Sequence, residues 1–255
     1  MKRPTELQED MFAQLRDKEI FEQARSCAYA YMDSVHERNV FPTEEALRDL
    51  DLFDEPLPQH PGDPQEILRL LHVVGSPASA AQTGGRYFGF VNGGAIPAAL
   101  AARWLADVWD QNAALELTSP IAARLESVCE AWLIDLLGLP AGTAAGFVSG
   151  TSTATLCGLA AGRNALLARH GWDVNADGLF EAPPLRVLVG EQAHATVFKA
   201  LGLLGLGKRR VETVPADDQG QMCTAELPPL DDRCLVIVQA GNVNTGAFDP
   251  CETLT

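Results

Sequence analysis

Residues 146–163 read Gly-Phe-Val-Ser-Gly-Thr-Ser-Thr-Ala-Thr-Leu-Cys-Gly-Leu-Ala-Ala-Gly-Arg, and the fold turns on what this stretch is. A short apolar run gives way to the small or hydroxylated residues Ser149 to Thr153, and then to an alanine-rich run. That order predicts a strand over 146–149, a turn, and a helix over 152–169. Small residues let the backbone approach a ligand. Hydroxyls and free N–H groups at a helix start suit an anion, helped by the helix dipole. Read alone, Ser152 serves equally well as a plain N-cap.

The same alternation continues downstream. Strand 186–190 leads to helix 193–204, strand 210–215 to a short helix near 223–227, and strand 234–239 to a loop. The strands are apolar without alternating (Val187-Leu-Val189, Leu235-Val-Ile-Val238). This reads as a parallel or mixed α/β sheet covered on both faces. Upstream the chain is helical. Met11, Leu15, Ile20, Ala24, Cys27, Ala28, Tyr31 and Val35 fall at helical spacing, a Pro-rich stretch follows, and a helix is predicted near 64–74. Helix 97–109 opens on Pro97; helix 120–137 has Ser119 as N-cap, Pro120 at its first position and Gly138 as terminator. The expected division is a helical arm over 1–80 and a larger α/β domain over 81–255.

Composition narrows the partners. The 255 residues are 47% hydrophobic with a net charge of −15, so a globular chain is expected and nucleic acid or anionic membrane is not a natural partner. No signal-peptide pattern opens the chain, and no apolar run approaches the length of a membrane helix. The six cysteines are scattered without a C-x-x-C pair, and the five histidines lack ligand spacing. Buried free thiols in a reducing cytoplasm and no metal site are the expectation.

Two motifs mislead. Gly202-Leu-Leu-Gly-Leu-Gly-Lys208 spells most of a phosphate-binding loop, but Arg209 stands where Ser or Thr holds magnesium, and the stretch ends a helix instead of following a strand. Gly150-Thr-Ser-Thr-Ala154 resembles a nucleophile elbow, yet only His170 and His194 follow it as candidate bases, and His194 opens a helix.

His194, in Gly190-Glu-Gln-Ala-His194-Ala-Thr-Val-Phe-Lys199, sits at a strand end beside the candidate anion site; a core or capping histidine is the plainer alternative. Three further stretches bear on it: Gly85-Arg-Tyr-Phe-Gly-Phe-Val-Asn-Gly-Gly94, Ser119-Pro-Ile-Ala-Ala-Arg-Leu-Glu126 with Trp132 to Pro140, and Gln239-Ala-Gly-Asn-Val-Asn-Thr-Gly-Ala-Phe-Asp-Pro250. In order and spacing these stretches resemble the pyridoxal-phosphate-dependent group II amino-acid decarboxylases. The resemblance covers residues 30–255.

It implies an aspartate-aminotransferase-like α/β fold, the type I fold of pyridoxal-phosphate enzymes, here a truncated large domain with an N-terminal helical arm. A cytoplasmic homodimer whose arms wrap the partner is also implied, as is an amino-acid substrate. Thr151 and Ser152 match the residues that hold the cofactor phosphate. His194 matches the histidine stacked on the pyridine ring, a contact worth about 0.5–1.5 kcal/mol beyond burial. Phe90, Val91 and Asn92 match the lining of the substrate pocket. Asn242 and Val243 stand where relatives often carry a Thr-Thr pair, so a hydroxyl role is lost there, although Asn242 keeps a donor.

The family's chemistry needs a lysine amine and an aspartate facing the pyridine nitrogen. The four lysines here are Lys2, Lys18, Lys199 and Lys208, none in the Ser/Asn-x-His-Lys context of the family. Asp249 matches a loop aspartate and is expected to cap a turn. The resemblance therefore implies that both groups belong to a comparable length of sequence beyond Thr255. A non-catalytic dimerising chain, an aminotransferase and a sulfur lyase stand as alternatives.

Overall fold

A computed structural model describes residues 4–92, 94 and 96–254, so Lys2 lies outside the described residues. The chain divides into two compact units, Met1–Val108 and Trp109–Thr255.

The first unit is helical: α1 (Pro4–Asp17), α2 (Glu19–Ser34), α3 (Glu44–Arg48), α4 (Pro64–Leu70) and α5 (Pro97–Trp109). Thr43 caps α3 through the Ala46 N–H, and Asp63 caps α4 through the Gln65 N–H ahead of Pro64. A π-helical turn, Leu71–Gly75, continues α4. Val35, Ala46, Val74 and Ala81 form the small buried core, and Tyr29 stacks on Trp104 at 6.1 Å between ring centroids.

The second unit carries α6 (Pro120–Leu136), α7 (Thr151–Arg169), α8 (Val174–Asp177), β1 (Arg186–Gly190), α9 (Ala195–Leu203), β2 (Val211–Val214), β3 (Cys234–Ile237) and α10 (Cys251–Leu254). Its sheet is parallel in the order β2-β1-β3. The central position of β1 explains its unalternating sequence: Leu188 and Val189 are fully buried, one toward each face. On one face Val187 and Val189 meet Leu159 of α7 and Ala200, Leu201 and Leu204 at α9. On the other, Leu188 and Val214 meet Met222, with Leu254 alongside. Each such fully buried aliphatic side chain is worth about 1.5–3 kcal/mol.

Three expectations need correcting. Residues 146–149 form no strand: 143–148 are irregular and Ser149–Gly150 bend. A strand needs a ladder partner, and here the Ala145 N–H donates to the Glu130 carboxylate at 2.8 Å instead. Helix α9 starts at Ala195 because His194 itself is the cap. The six thiols are free, but none is buried: Cys157 and Cys251 are exposed and the rest intermediate; Cys27, Cys129 and Cys157 lie on helices that each keep an uncovered side.

Candidate functional site

The C-terminal ends of the strands gather three segments distant in sequence. The first is the start of α7. That helix runs antiparallel to the strands: at its far end the His170 ring lies 3.2 Å from the Asp232 carbonyl, just before β3. Thr151 and Ser152 therefore open α7 at the opposite edge. Gly150, extended at φ 172 and ψ 166, stands at the N-cap and offers no side-chain cap. The Thr151 and Ser152 hydroxyls are exposed and make no side-chain hydrogen bond among the described residues. A helix of 19 residues thus presents N–H groups and two hydroxyls with no protein acceptor, the donor set that a phosphate takes.

The second segment follows β1. The Ala193 N–H donates to the Gly190 carbonyl at 3.0 Å and the Glu191 N–H to Val214 at 2.8 Å, fixing the turn. His194 then caps α9, its Nδ1 accepting the Thr196 N–H at 3.3 Å with the Thr196 hydroxyl 2.8 Å away. Its ring is exposed.

The third is the loop after β3. The Asn242 N–H donates to the Ala247 carbonyl at 2.8 Å, and the Gly246 N–H to the Asn242 carbonyl at 2.9 Å. Asn242 is buried, at 6% exposure. Its Oδ1 accepts the Asn244 N–H at 2.9 Å, and its Nδ2 donates to Gln192 Oε1 at 2.9 Å. One amide hydrogen is left to offer elsewhere. Asp249, equally buried, accepts the Met222 N–H at 2.8 Å and the Gln239 N–H at 2.7 Å. It ties β3, its loop and the 215–222 turn together, a broader task than capping one turn.

The structure thus brings Thr151, Ser152, His194 and Asn242 to one edge of one unit. Phe90, Val91 and Asn92 belong to the first unit. There Phe90 and Val91 hold left-handed backbone (φ 56 and 54) with side chains 89% and 76% exposed, and the Asn92 amide donates to the Tyr87 hydroxyl at 3.0 Å. A β-branched residue at positive φ is strained. Lys199 lines a cavity with Gly202, Leu203, Lys208, Arg209 and Arg210, on the outer side of α9.

Gln192, Gln239 and Gly220 escaped the sequence reading. Both glutamines stand inside motifs already singled out, and polar residues flanking a strand end were the available signal. Gly220 follows Asp217-Asp-Gln, an ordinary turn sequence. At φ 77, a Cβ there would meet Asn242 Nδ2 at 2.4 Å and Gln192 Oε1 at 2.5 Å, which no sequence pattern announces.

Strong electrostatic perturbation lies at the other end of the strands. Arg186 holds Glu212 through two hydrogen bonds of 2.8 and 2.7 Å, and the pair raises the guanidinium and lowers the carboxyl from their ordinary values. The Cys234 thiol donates to Asp231, lowering that carboxyl, while its partial desolvation pushes the thiol up. This cluster braces the sheet.

A parallel sheet with helices on its faces, and with a helix start and an exposed histidine at the C-terminal ends of its strands, is the architecture of an α/β ligand-binding domain. Residues 46–255 match the model of the pyridoxal-dependent decarboxylase conserved domain, and the chain belongs to that family. It is 28% identical over 218 residues to the acidic amino acid decarboxylase GADL1 of Xenopus tropicalis, covering 82% of this chain and 40% of that protein. Over 108 residues it is 34% identical to tryptophan decarboxylase 1 of Oryza sativa subsp. japonica, covering 38% of this chain and 20% of the relative. Among solved structures, mouse CSAD in its apo form superposes with a TM-score of 0.80 at 21% identity, over 94% of this chain and 52% of that one. Oryza sativa TDC with PLP and tryptamine gives 0.71 at 23%, over 84% and 44%. These likenesses establish the type I fold. The chain spans about half the length of the solved relatives it matches.

Proposed function

We propose that this chain is part of an enzyme that decarboxylates an L-amino acid to its amine and carbon dioxide with pyridoxal 5′-phosphate. The observation that carries the reading is the uncapped start of α7, with its unpaired Thr151 and Ser152 hydroxyls, at the same strand edge as the exposed His194 ring. Bound there, pyridoxal phosphate supplies an electron sink for the pair left when the α-carboxylate departs. Thr151 and Ser152 hold the phosphate, His194 covers the ring face, and Asn242 stiffens the loop alongside, with one amide hydrogen to contribute. Phe90, Val91 and Asn92 are assigned to substrate binding; their strained turn supports this, because such strain concentrates at functional sites.

We assign the covalent lysine and the acid facing the pyridine nitrogen to the part of the relatives' length that this chain does not span; for the lysine, the place of Lys199 and Lys208 in a cavity on the outer side of α9 supports this. The division proposed is an arm over 1–80 and the cofactor domain from 81. A second copy covers the arm: Leu7, Met11 and Leu15 make one stripe of α1, each 51–56% exposed. Free thiols fit a reducing cytoplasm, and no described helix is long and apolar enough to cross a membrane.

The test is His194→Ala in the complete enzyme. Cofactor affinity and amine release should both fall, while the apo-protein loses only the α9 cap, about 1 kcal/mol of stability. A large loss of apo-protein stability at unchanged affinity would make His194 a cap and nothing more.

A further inference from the structure

His194 is an odd choice of cap. Ser, Thr, Asp or Asn does that work with fewer atoms, whereas an imidazole spends one nitrogen on the cap and keeps the other. Which nitrogen is spent follows from the geometry. Nδ1 faces the backbone N–H of Thr196 at 3.3 Å, so in the neutral ring it must be the bare nitrogen, and the Thr196 hydroxyl at 2.8 Å donates to the same lone pair. The ring proton then lies on Nε2, the edge turned away from α9. The backbone is held as well: the His194 N–H donates to Gln239 Oε1 at 3.1 Å. Gln239 is itself fixed, because its N–H is accepted by the buried Asp249 at 2.7 Å.

We propose that Thr196 and Gln239 are positioning residues for His194, the first locking its ring in the Nε2–H tautomer and the second anchoring its backbone to the end of β3. The functional weight of this rests on the reading of His194 as the residue that covers the cofactor ring; the tautomer does not. A ring that covers a flat ligand gains by having its plane set beforehand, since freezing it on binding would weaken the complex.

The experiment uses residues 1–255 with 15N-labelled histidine, at about pH 8 where free imidazole is neutral. Two-bond proton–nitrogen correlation separates a bare from a protonated ring nitrogen, and the His194 signal is assigned by its loss in His194→Gln. Wild type and Thr196→Ser should show bare Nδ1 and protonated Nε2; Thr196→Val, which loses the 2.8 Å hydroxyl contact and keeps only the longer backbone N–H at 3.3 Å, should show a measurable share of the other tautomer. Gln239→Leu should keep the tautomer. Titrated with pyridoxal 5′-phosphate, Thr196→Val and Gln239→Leu should each bind about threefold to tenfold more weakly, the worth of one hydrogen bond, and Thr196→Ser should bind like wild type. A protonated Nδ1 in wild type, or Thr196→Val with both tautomer and affinity unchanged, overturns the proposal. If wild type takes up no pyridoxal phosphate, the site reading fails, while the nitrogen shifts still decide the tautomer.

Discussion

Replacing Gly220 by alanine tests how rigidly the strand-end loops are clamped. Its backbone is left-handed at φ 77, and the added methyl would stand 2.4 Å from Asn242 Nδ2, 2.5 Å from Gln192 Oε1 and 3.1 Å from Asn242 Cγ. Left-handed backbone costs an L-residue about 1–2 kcal/mol. Relieving the collision breaks the Asn242–Gln192 hydrogen bond and strands a donor on a residue only 6% exposed, a further ~1–3 kcal/mol. The stiffer unfolded chain returns about 0.4–1 kcal/mol. The net is a destabilisation of about 2–4 kcal/mol, or roughly 6–12 °C in melting temperature for the central value in a unit of this size. Gly246 supplies the control. It has the same φ of 77 but no atom within 4 Å of its Cβ site, so Gly246→Ala should carry only the backbone cost, about 1 kcal/mol. Urea unfolding of the two variants side by side gives the difference. Equal midpoints would mean that Asn242 and Gln192 swing aside freely and that no rigid clamp exists.

Asp249→Ala should cost about 2–5 kcal/mol in urea unfolding, because it orphans the Met222 and Gln239 N–H groups. Asp249→Asn, which keeps one acceptor, should lie between; near-neutral behaviour of the alanine variant would refute the tie. Acidification should weaken the sheet through Glu212. Its folded carboxyl titrates below the ordinary 4.5 because Arg186 donates to it, so its contribution is complete above that value and disappears as the pH falls below it. The stability gap between wild type and Glu212→Gln should therefore be present at neutral pH and close on acidification; a gap that persists in acid would contradict the assignment.

The sequence was legible where local chemistry and tertiary structure agree. Helix α5 falls on its predicted bounds because Pro97 and an apolar stripe suffice, and Ser119, Pro120 and Gly138 mark α6 through capping alone. The parallel sheet could be read from Val187-Leu-Val189 because a central strand buried on both faces has no polar side to show. The failure at 146–149 has the opposite cause: apolar residues there lack a strand to pair with among the described residues, and pairing is not a local property. For the site, Thr151, Ser152, His194 and Asn242 were visible as motif residues. What joins them was not, because Gln192, Gln239 and Asp249 act across sequence separations of 10 to 50 residues, and glutamines at strand ends look like ordinary surface.

If the start of α7 and His194 form one cofactor site with the covalent lysine elsewhere, residues 1–255 should bind the cofactor without forming a covalent bond to it. The direct measurement is titration of residues 1–255 with pyridoxal 5′-phosphate, with inorganic phosphate as competitor, followed by borohydride reduction and peptide mapping. Uptake should be displaced by phosphate, should weaken in Thr151→Ala/Ser152→Ala and in His194→Ala, and should leave Lys18, Lys199 and Lys208 without stoichiometric label. Uptake indifferent to those substitutions, or one full equivalent of label on Lys199 or Lys208, would contradict this reading.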